Sequence, residues 1–410
     1  MWWKTSKPKT VRSRGKLPPE LVDRIIDFLH DEPKALAACS LVARSWTTTS
    51  RYHRFSWVRL TSNEDWAKFD RLIKISPSMS AHMRGVTIDV TGAHSARWMS
   101  VCPGFTSLEH ITMFGAIIPP WQSEAAAISS VAHKITSFTL NAAFVSRYDF
   151  WPTIRMFPNL VALHPFGARY VTELATLQSP SLPCYSPPIA FVSVTTLGQE
   201  NLLDDFCNPP YPLSSLSTLD IRDDNLEKTG GLQTLAETYA GQITKIRLHV
   251  RSSSHLCTSL GCFHPFTPYS CTVLDSPDYI SCFTNLRHLT FTDLNPTQKD
   301  HYEHTRKSFA WVNGAIAAIQ SPITHLTFEI LVRRSADLYA MDWKAIDVLI
   351  SSRGSLRSLV QVLVVFLDRL EDEDWDSKST AHPVTVRGLM PLTATMGLLK
   401  IATRGPRIYP

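Results

Sequence analysis

The chain has 410 residues, of which 44% are apolar and 19% charged, and its formal net charge is +5. This composition excludes a disordered chain and supplies enough apolar material for one large domain or two unequal ones. The most apolar stretch, residues 359–367, is far shorter than the ~20 residues of a transmembrane helix, so we expect no membrane partner.

The first 16 residues carry six lysines and arginines and no acid. We expect residues 1–16 to be a solvated, flexible tail, with a nuclear-import signal as the alternative. The rest of the chain is nearly neutral, so no nucleic-acid partner is predicted. Met1-Trp2-Trp3-Lys4 leads into charge rather than an apolar segment, which predicts a protein of the cytoplasm, the nucleus or both.

Residues 17–60 are predicted to form a small module of three helices. The motif Leu17-Pro18-Pro19-Glu20 opens the first helix, because proline in the first turn removes no needed hydrogen bond and glutamate suits the positive helix end. His30-Asp31-Glu32-Pro33 ends it, and further helices are expected at 35–43 and 50–55. So small a module cannot bury all of its apolar surface, which indicates that a partner or a neighbouring domain covers part of it.

This module resembles the F-box family, in which Leu-Pro-x-Glu-Leu is followed by apolar residues at helical spacing and by Leu-Val-x-x-x-Trp. The matching residues are Leu17-Pro18-Pro19-Glu20-Leu21, Ile25, Phe28-Leu29, Leu36, Cys39, Leu41-Val42 and Trp46. The resemblance implies that a Skp-type adaptor, and through it a cullin, docks here. The alternative is a helical hairpin that caps the larger domain. By the resemblance, the adaptor contact or the packing beneath it belongs to Leu17, Pro18, Leu21, Ile25, Leu36, Val42 and Trp46.

An apolar-x-x-apolar-x-apolar template recurs in residues 61–410. Its units begin 25 to 29 residues apart at first and 36 to 43 residues apart later, with helices expected at 120–134, 232–239, 301–320 and 343–351. We therefore predict an α/β fold in which the F-box-like module precedes an irregular, leucine-rich-repeat-like α/β solenoid. The F-box resemblance implies that this second domain, residues 61–410, serves in substrate recognition. An irregular α/β domain without repeats is the alternative. The predicted first residues are Met83, Leu108, Ile135, Leu160, Ile189, Leu216, Ile243, Leu286, Ile323, Leu359 and Met396.

Alternate residues of these strands are predicted to face the concave side of the solenoid. In the middle units they include arginine, lysine and histidine, which would complement an acidic or phosphorylated segment of a protein substrate. A solvated strand face without a ligand is the alternative. The predicted substrate-binding residues are Asp220, Arg222, Lys245, Arg247, His249, His288, His325 and Glu329.

Residues 255–282 concentrate cysteine and histidine but contain no Cys-x2-Cys pair, so we interpret them as a surface insertion with free thiols rather than a zinc site. The chain has no Gly-x-Ser-x-Gly elbow, glycine-rich phosphate loop or His-Glu-x-x-His motif. We therefore predict no catalytic residue, no metal and no cofactor. The residues of the segment are His255, Cys257, Cys262, His264, Cys271 and Cys282.

The F-box resemblance implies a non-catalytic substrate-recognition subunit of an SCF-type (Skp–cullin–F-box) ubiquitin ligase. Such a subunit accelerates ubiquitin transfer by holding a protein substrate near the conjugating enzyme. Two alternatives are an adaptor-binding interaction protein without a ligase role and an enzyme with a nonstandard site in the repeat domain.

Overall fold

The computed structural model of the chain shows an α/β fold with thirteen parallel strands and ten α-helices in the residues that it describes. Strand alternates with helix along much of the chain after residue 56. The described residues are 17–30, 32–89, 104–117, 130–165, 169–172, 187–195, 206–207, 213–223, 230–250, 277–294, 302–332, 338–339, 341–352, 354–367 and 381–404.

The bounds of the elements are as follows. The helices are α1 (Pro19–Phe28), α2 (Pro33–Val42), α3 (Arg44–Phe55), α4 (Asn63–Ile75), α5 (Arg147–Arg155), α6 (Gly230–Thr238), α7 (Tyr302–Ala318), α8 (Trp343–Ser352), α9 (Ala381–Leu389) and α10 (Pro391–Thr395). The strands are β1 (Trp57–Leu60), β2 (Gly85–Asp89), β3 (His110–Ile117), β4 (Ser137–Ser146), β5 (Ala162–His164), β6 (Arg169–Thr172), β7 (Phe191–Thr195), β8 (Thr218–Asp223), β9 (Lys245–Val250), β10 (His288–Leu294), β11 (His325–Leu331), β12 (Gln361–Leu367) and β13 (Leu399–Arg404).

The first three helices pack around a small core of their own. Val22, Ile26 and Leu36 are buried there, and Leu29 and Trp46 pack against them. The third helix is longer than the predicted 50–55, since α3 begins at residue 44 directly after an extended residue. Its run of threonines has low intrinsic helix propensity, and packing outweighs that preference.

The strands pair in chain order, apart from β6, which pairs beside β4. In each of the first ten predicted units the strand begins two residues after the predicted first residue, from β2 at Gly85 to β12 at Gln361. In the last unit, β13 starts at Leu399, three residues after the predicted first residue Met396. The register is kept, because Leu399 pairs with Val362, which lies three residues after Leu359. The spacing of the template thus predicted both the existence and the alignment of these strands.

The template positions form the main core of the sheet. Leu219, Ile246 and Leu289 are adjacent in three neighbouring strands and are all buried. Burying a side chain of this kind stabilises the fold by about 1.5–3 kcal/mol. Met396 differs from the earlier first residues because it is exposed in the final unit.

The strand β1 was not predicted. Trp57 pairs with Gly85, and Phe55, Val58 and Leu60 fit the apolar template, but the sequence interpretation attached them to the helical module. The predicted boundary at residue 60 coincides with the end of β1.

Pro165 interrupts the sheet where it departs from the template. The strand β5 ends at His164, and β6 resumes at Arg169 beside β4 with its register shifted by one residue. Proline ends the strand because it lacks the N–H that a ladder hydrogen bond requires.

Three of the four predicted helices after the module agree with α6, α7 and α8 to within two residues. The helix predicted at 120–134 lies mostly outside the described residues, as do the basic tail and the Cys/His segment up to residue 276. None of the helices in the described ranges is both long and apolar enough to cross a membrane.

Candidate interaction surfaces

The first candidate surface is an exposed apolar side of α1. Leu21, Ile25 and Phe28 are four and three residues apart, which places them on one side of the helix. Leu21 is 45% exposed and Ile25 is 43% exposed, whereas Val22 and Ile26 turn inward and are buried. The first helix therefore has one apolar side in the core and a second apolar side in solvent.

The structure divides the seven predicted adaptor residues into two groups. Leu36 is buried in the small core and Trp46 packs against that core, so their role is packing. The exposed ones are Leu17, Pro18, Leu21, Ile25 and Val42.

Polar contacts hold α1 against α3. The hydroxyl of Thr49 donates to Oδ1 of Asp23 at 2.8 Å. One helical turn further, Nε2 of His53 lies 2.7 Å from Oδ1 of Asp27. These contacts agree with the burial of Val22 and Ile26, which turns the side of α1 that carries Leu21 and Ile25 toward solvent.

A second set of contacts connects α3 to the sheet. Arg84 donates from Nη1 to the hydroxyl of Tyr52 at 3.2 Å and from Nη2 to both carboxylate oxygens of Glu109, at 2.9 and 2.7 Å. The helical module is thereby attached to residues that directly precede β2 and β3.

The second candidate surface is a polar cluster on the sheet face opposite the core. The cluster contains five of the predicted residues. Asp220 and Arg222 on β8 pair in register with Arg247 and His249 on β9, and Glu329 lies on β11. Two residues that were not predicted join them. The polar cluster consists of Ser193, Asp220, Arg222, Arg247, His249, Asp293 and Glu329.

Asp220 lies in the middle of this cluster. It accepts a hydrogen bond from the hydroxyl of Ser193 at 3.1 Å, and its other oxygen lies 2.7 Å from Nε2 of His249. Nη2 of Arg222 is 3.7 Å from the same carboxylate. The imidazole of His249 contacts a second acid, since its Nδ1 lies 2.7 Å from Oδ2 of Asp293.

A further ion pair of the cluster crosses the strand β10. Arg247 on β9 pairs with Glu329 on β11, two strands away. The intervening strand presents Thr290 and Thr292 at the rows of Arg247 and His249, and these short side chains leave room for the guanidinium to pass. Glu329 is buried and Arg247 is half-buried.

The carboxylates and cations of the cluster favour each other's charged forms. Burial alone lowers the pKa of His249, but Asp220 and Asp293 outweigh it and leave this pKa raised. Burial alone raises the pKa of Asp220, but His249, Arg222 and Arg247 together leave it lowered. With His249 protonated, the cluster holds three acids and three cations, so its charges balance.

The other predicted substrate residues form a basic row along the strand starts. Lys245, His288 and His325 are neighbours in the ladder, and the two imidazole rings stack at 4.5 Å. Burial and the neighbouring His325 and Lys245 lower the pKa of His288. This row has no acidic partner within the described part of the chain, in contrast to the polar cluster.

Sequence reasoning missed Asp293 and Ser193 for different reasons. Asp293 lies where the register between Phe291 and Leu294 shifts, so strict alternation would have assigned its side chain to the core face. Ser193 occupies the row of Asp220 one strand earlier and could have been found by extending the template to β7.

Metal-ligand groupings are absent from the described ranges. Cys282, at the end of the cysteine- and histidine-rich segment, is half-buried, and the amide of Gln233 donates to its sulfur at 3.4 Å. His255, Cys257, Cys262, His264 and Cys271 lie outside the described residues. No family model and no curated protein matches this chain.

Proposed function

We propose that this chain is the substrate-recognition subunit of an SCF-type ubiquitin ligase, with a Skp-type adaptor bound to residues 17–60. The observation that supports this most is the exposed apolar side of α1, next to a module core of only a few residues. Exposed apolar side chains concentrated on one side of a helix are typical of a surface that a partner covers. The resemblance of this module to the F-box family implies that the partner is a Skp-type adaptor.

We further propose that the strand-rich domain is a leucine-rich-repeat-like solenoid. Parallel strands paired in chain order, with helices between many of them, support this. So do equivalent side-chain bonds in separate units: Asn159 donates to the carbonyl of His133, and Asn285 donates to that of Gly241. Each asparagine directly precedes the first residue of its unit and reaches the preceding unit.

In this arrangement the polar face of the sheet would receive a protein substrate. The cations of the polar cluster are already neutralised by its own acids. An acidic or phosphorylated segment is therefore better accommodated at the basic row of Lys245, His288 and His325. Binding there would favour protonation of the two histidines and strengthen the contact through charge.

Co-purification with a purified Skp-type adaptor tests the proposal. The double variant Leu21→Asp/Ile25→Asp places two charges on the exposed side of α1 and should abolish binding. The matched control is Val348→Asp on α8, because Val348 is 47% exposed, close to the exposure of Leu21 and Ile25. Adaptor binding that survives the double variant would refute docking at this surface.

Recruitment of a cullin separates a ligase subunit from an adaptor-binding protein without ligase function. A ternary complex of the chain, the adaptor and the cullin is expected from the intact chain. A stable adaptor complex that excludes the cullin would favour the alternative.

A further inference from the structure

A cavity of about 460 Å³ lies between the helical module and the first helix of the larger domain. Its size falls within the range of small-molecule sites, roughly 300–1,000 Å³. One side is formed by α2 and α3, and the other by α4 and the short 3-10 helix Pro77–His82. The lining residues are Ser40, Ser50, Arg51, Arg54, Phe55, Leu72, Ile75, Ser76 and Met79.

The lining combines positive charge with an apolar portion. Arg51 and Arg54 supply two cations, and no acid lines the cavity. Neither guanidinium has a carboxylate partner in the part of the chain that the structure describes. Acids near α3 are engaged on its other side, where Asp23 and Asp27 contact Thr49 and His53.

Ser50 adds an independent indication of a ligand. It is only 1% exposed, and its hydroxyl finds no hydrogen-bond partner among the described residues. Buried polar groups in folded proteins are ordinarily hydrogen-bonded, so this hydroxyl is available to a group that enters the cavity. Arg54 lies four residues after Ser50 and three after Arg51, so it is a neighbour of both on the surface of α3.

We propose that this cavity binds a small organic anion: its charged head contacts Arg51, Arg54 and the hydroxyl of Ser50, and its apolar body packs on Phe55, Leu72 and Met79. Paired guanidinium groups suit a phosphate or carboxylate head. The ligand would join the helical module to α4 and hold the two in one orientation. The proposal does not depend on adaptor binding.

Calorimetric titration of the full chain with 1-naphthyl phosphate tests the site, with inorganic phosphate and 1-naphthol as the two halves of the probe. The intact chain should bind 1-naphthyl phosphate more tightly than either half. Equal affinity for 1-naphthol would show that the phosphate group contributes nothing to binding, and this would overturn the proposal. Equal affinity for inorganic phosphate would remove the role of the apolar body, and failure to bind 1-naphthyl phosphate would reject the site altogether.

Variants of α3 locate the binding. Arg51→Gln/Arg54→Gln should weaken 1-naphthyl phosphate at least tenfold, and Ser50→Ala should weaken it severalfold. Arg44→Gln is the matched control, because Arg44 is an exposed arginine of the same helix outside the cavity. Undiminished binding to the double variant, or an equal loss in the control, would contradict the assignment.

The adaptor variant Leu21→Asp/Ile25→Asp keeps the two proposals separate. It should bind 1-naphthyl phosphate as the intact chain does, since neither residue lines the cavity. Loss of probe binding in that folded variant would count against a site confined to the cavity lining. Thermal unfolding of each variant confirms that it is folded before titration.

Discussion

The carboxylate of Asp293 lies 2.7 Å from Nδ1 of His249, and the backbone of Asp293 adopts a left-handed conformation with φ at 58°. This conformation costs an L-residue about 1–2 kcal/mol, although aspartate tolerates it better than most residues. Asp293 adopts this conformation where the register of β10 shifts, and its carboxylate there pairs with the buried His249. Such strained positions persist only where surrounding contacts stabilise them.

Substitutions at Asp293 should separate the backbone strain from the lost charge. Asparagine tolerates the left-handed region but carries no charge, so Asp293→Asn should destabilise the fold by about 1 kcal/mol. Asp293→Ala loses the contact and also strains the backbone, and we expect about 2 kcal/mol. Urea unfolding measures both values. Equal costs for the two variants would show that the backbone contributes nothing.

Stability should depend on pH through His249. Its pKa is raised in the folded state, so its contribution is fully present below the unfolded value of about 6.5 and is lost as pH rises through the folded pKa. The loss is at most about 1.4 kcal/mol for each pH unit between the two values. Urea unfolding from pH 6 to pH 9 should therefore show the intact chain losing stability relative to His249→Gln.

The test uses the difference in unfolding free energy between the intact chain and His249→Gln, because other histidines change stability with pH in the opposite direction. Burial lowers the pKa of His164 to about 4 and also lowers the pKa of His110 and His288. Their contributions are present above the unfolded pKa and are lost as pH falls. If the difference between the chain and His249→Gln did not change with pH, the ion pairs of His249 would not stabilise its charged form.

The pair of Arg247 and Glu329 should behave as one unit. Glu329→Gln leaves a half-buried guanidinium without its charge partner and should cost about 1–3 kcal/mol. Arg247→Met leaves a buried carboxylate and should cost at least as much. The variant carrying both changes should cost less than the two single losses added together, because no unpaired charge remains. Additive costs in a double-mutant cycle would mean that the two side chains do not interact.

Gly85 is constrained by the ring of Trp57. A Cβ at Gly85 would overlap Cε3 of the Trp57 ring, and this ring stacks on His110 at 5.2 Å. The tryptophan is part-exposed and can swing into solvent, so we expect Gly85→Ala to cost about 1–2 kcal/mol and to break the stack. In a Trp57→Ala background the same change should cost almost nothing. A cost that persists in that background would mean that the added Cβ clashes with a group other than the Trp57 ring.

The sequence allowed the strands to be aligned because the apolar template has a fixed phase. Positions such as Leu219 and Ile246 must both be buried, and a shift by one residue would expose them. The missed strand β1 shows the limit of this reasoning. Its template residues follow α3 without a break, so the pattern alone did not separate the helical module from the sheet.

Period and spacing, which are local properties of the chain, were enough to predict the parallel strands, the helices near residues 19–42 and the apolar residues of the sheet core. The partners of the cations, by contrast, became visible only in the packed fold. Arg247 meets Glu329 from 82 positions away, and His249 meets Asp293 through an irregularity that alternation does not predict. The cavity at Ser50 likewise arises only where the module packs against α4. Ion pairs and cavities depend on distances between separate elements, and these are set when the elements pack.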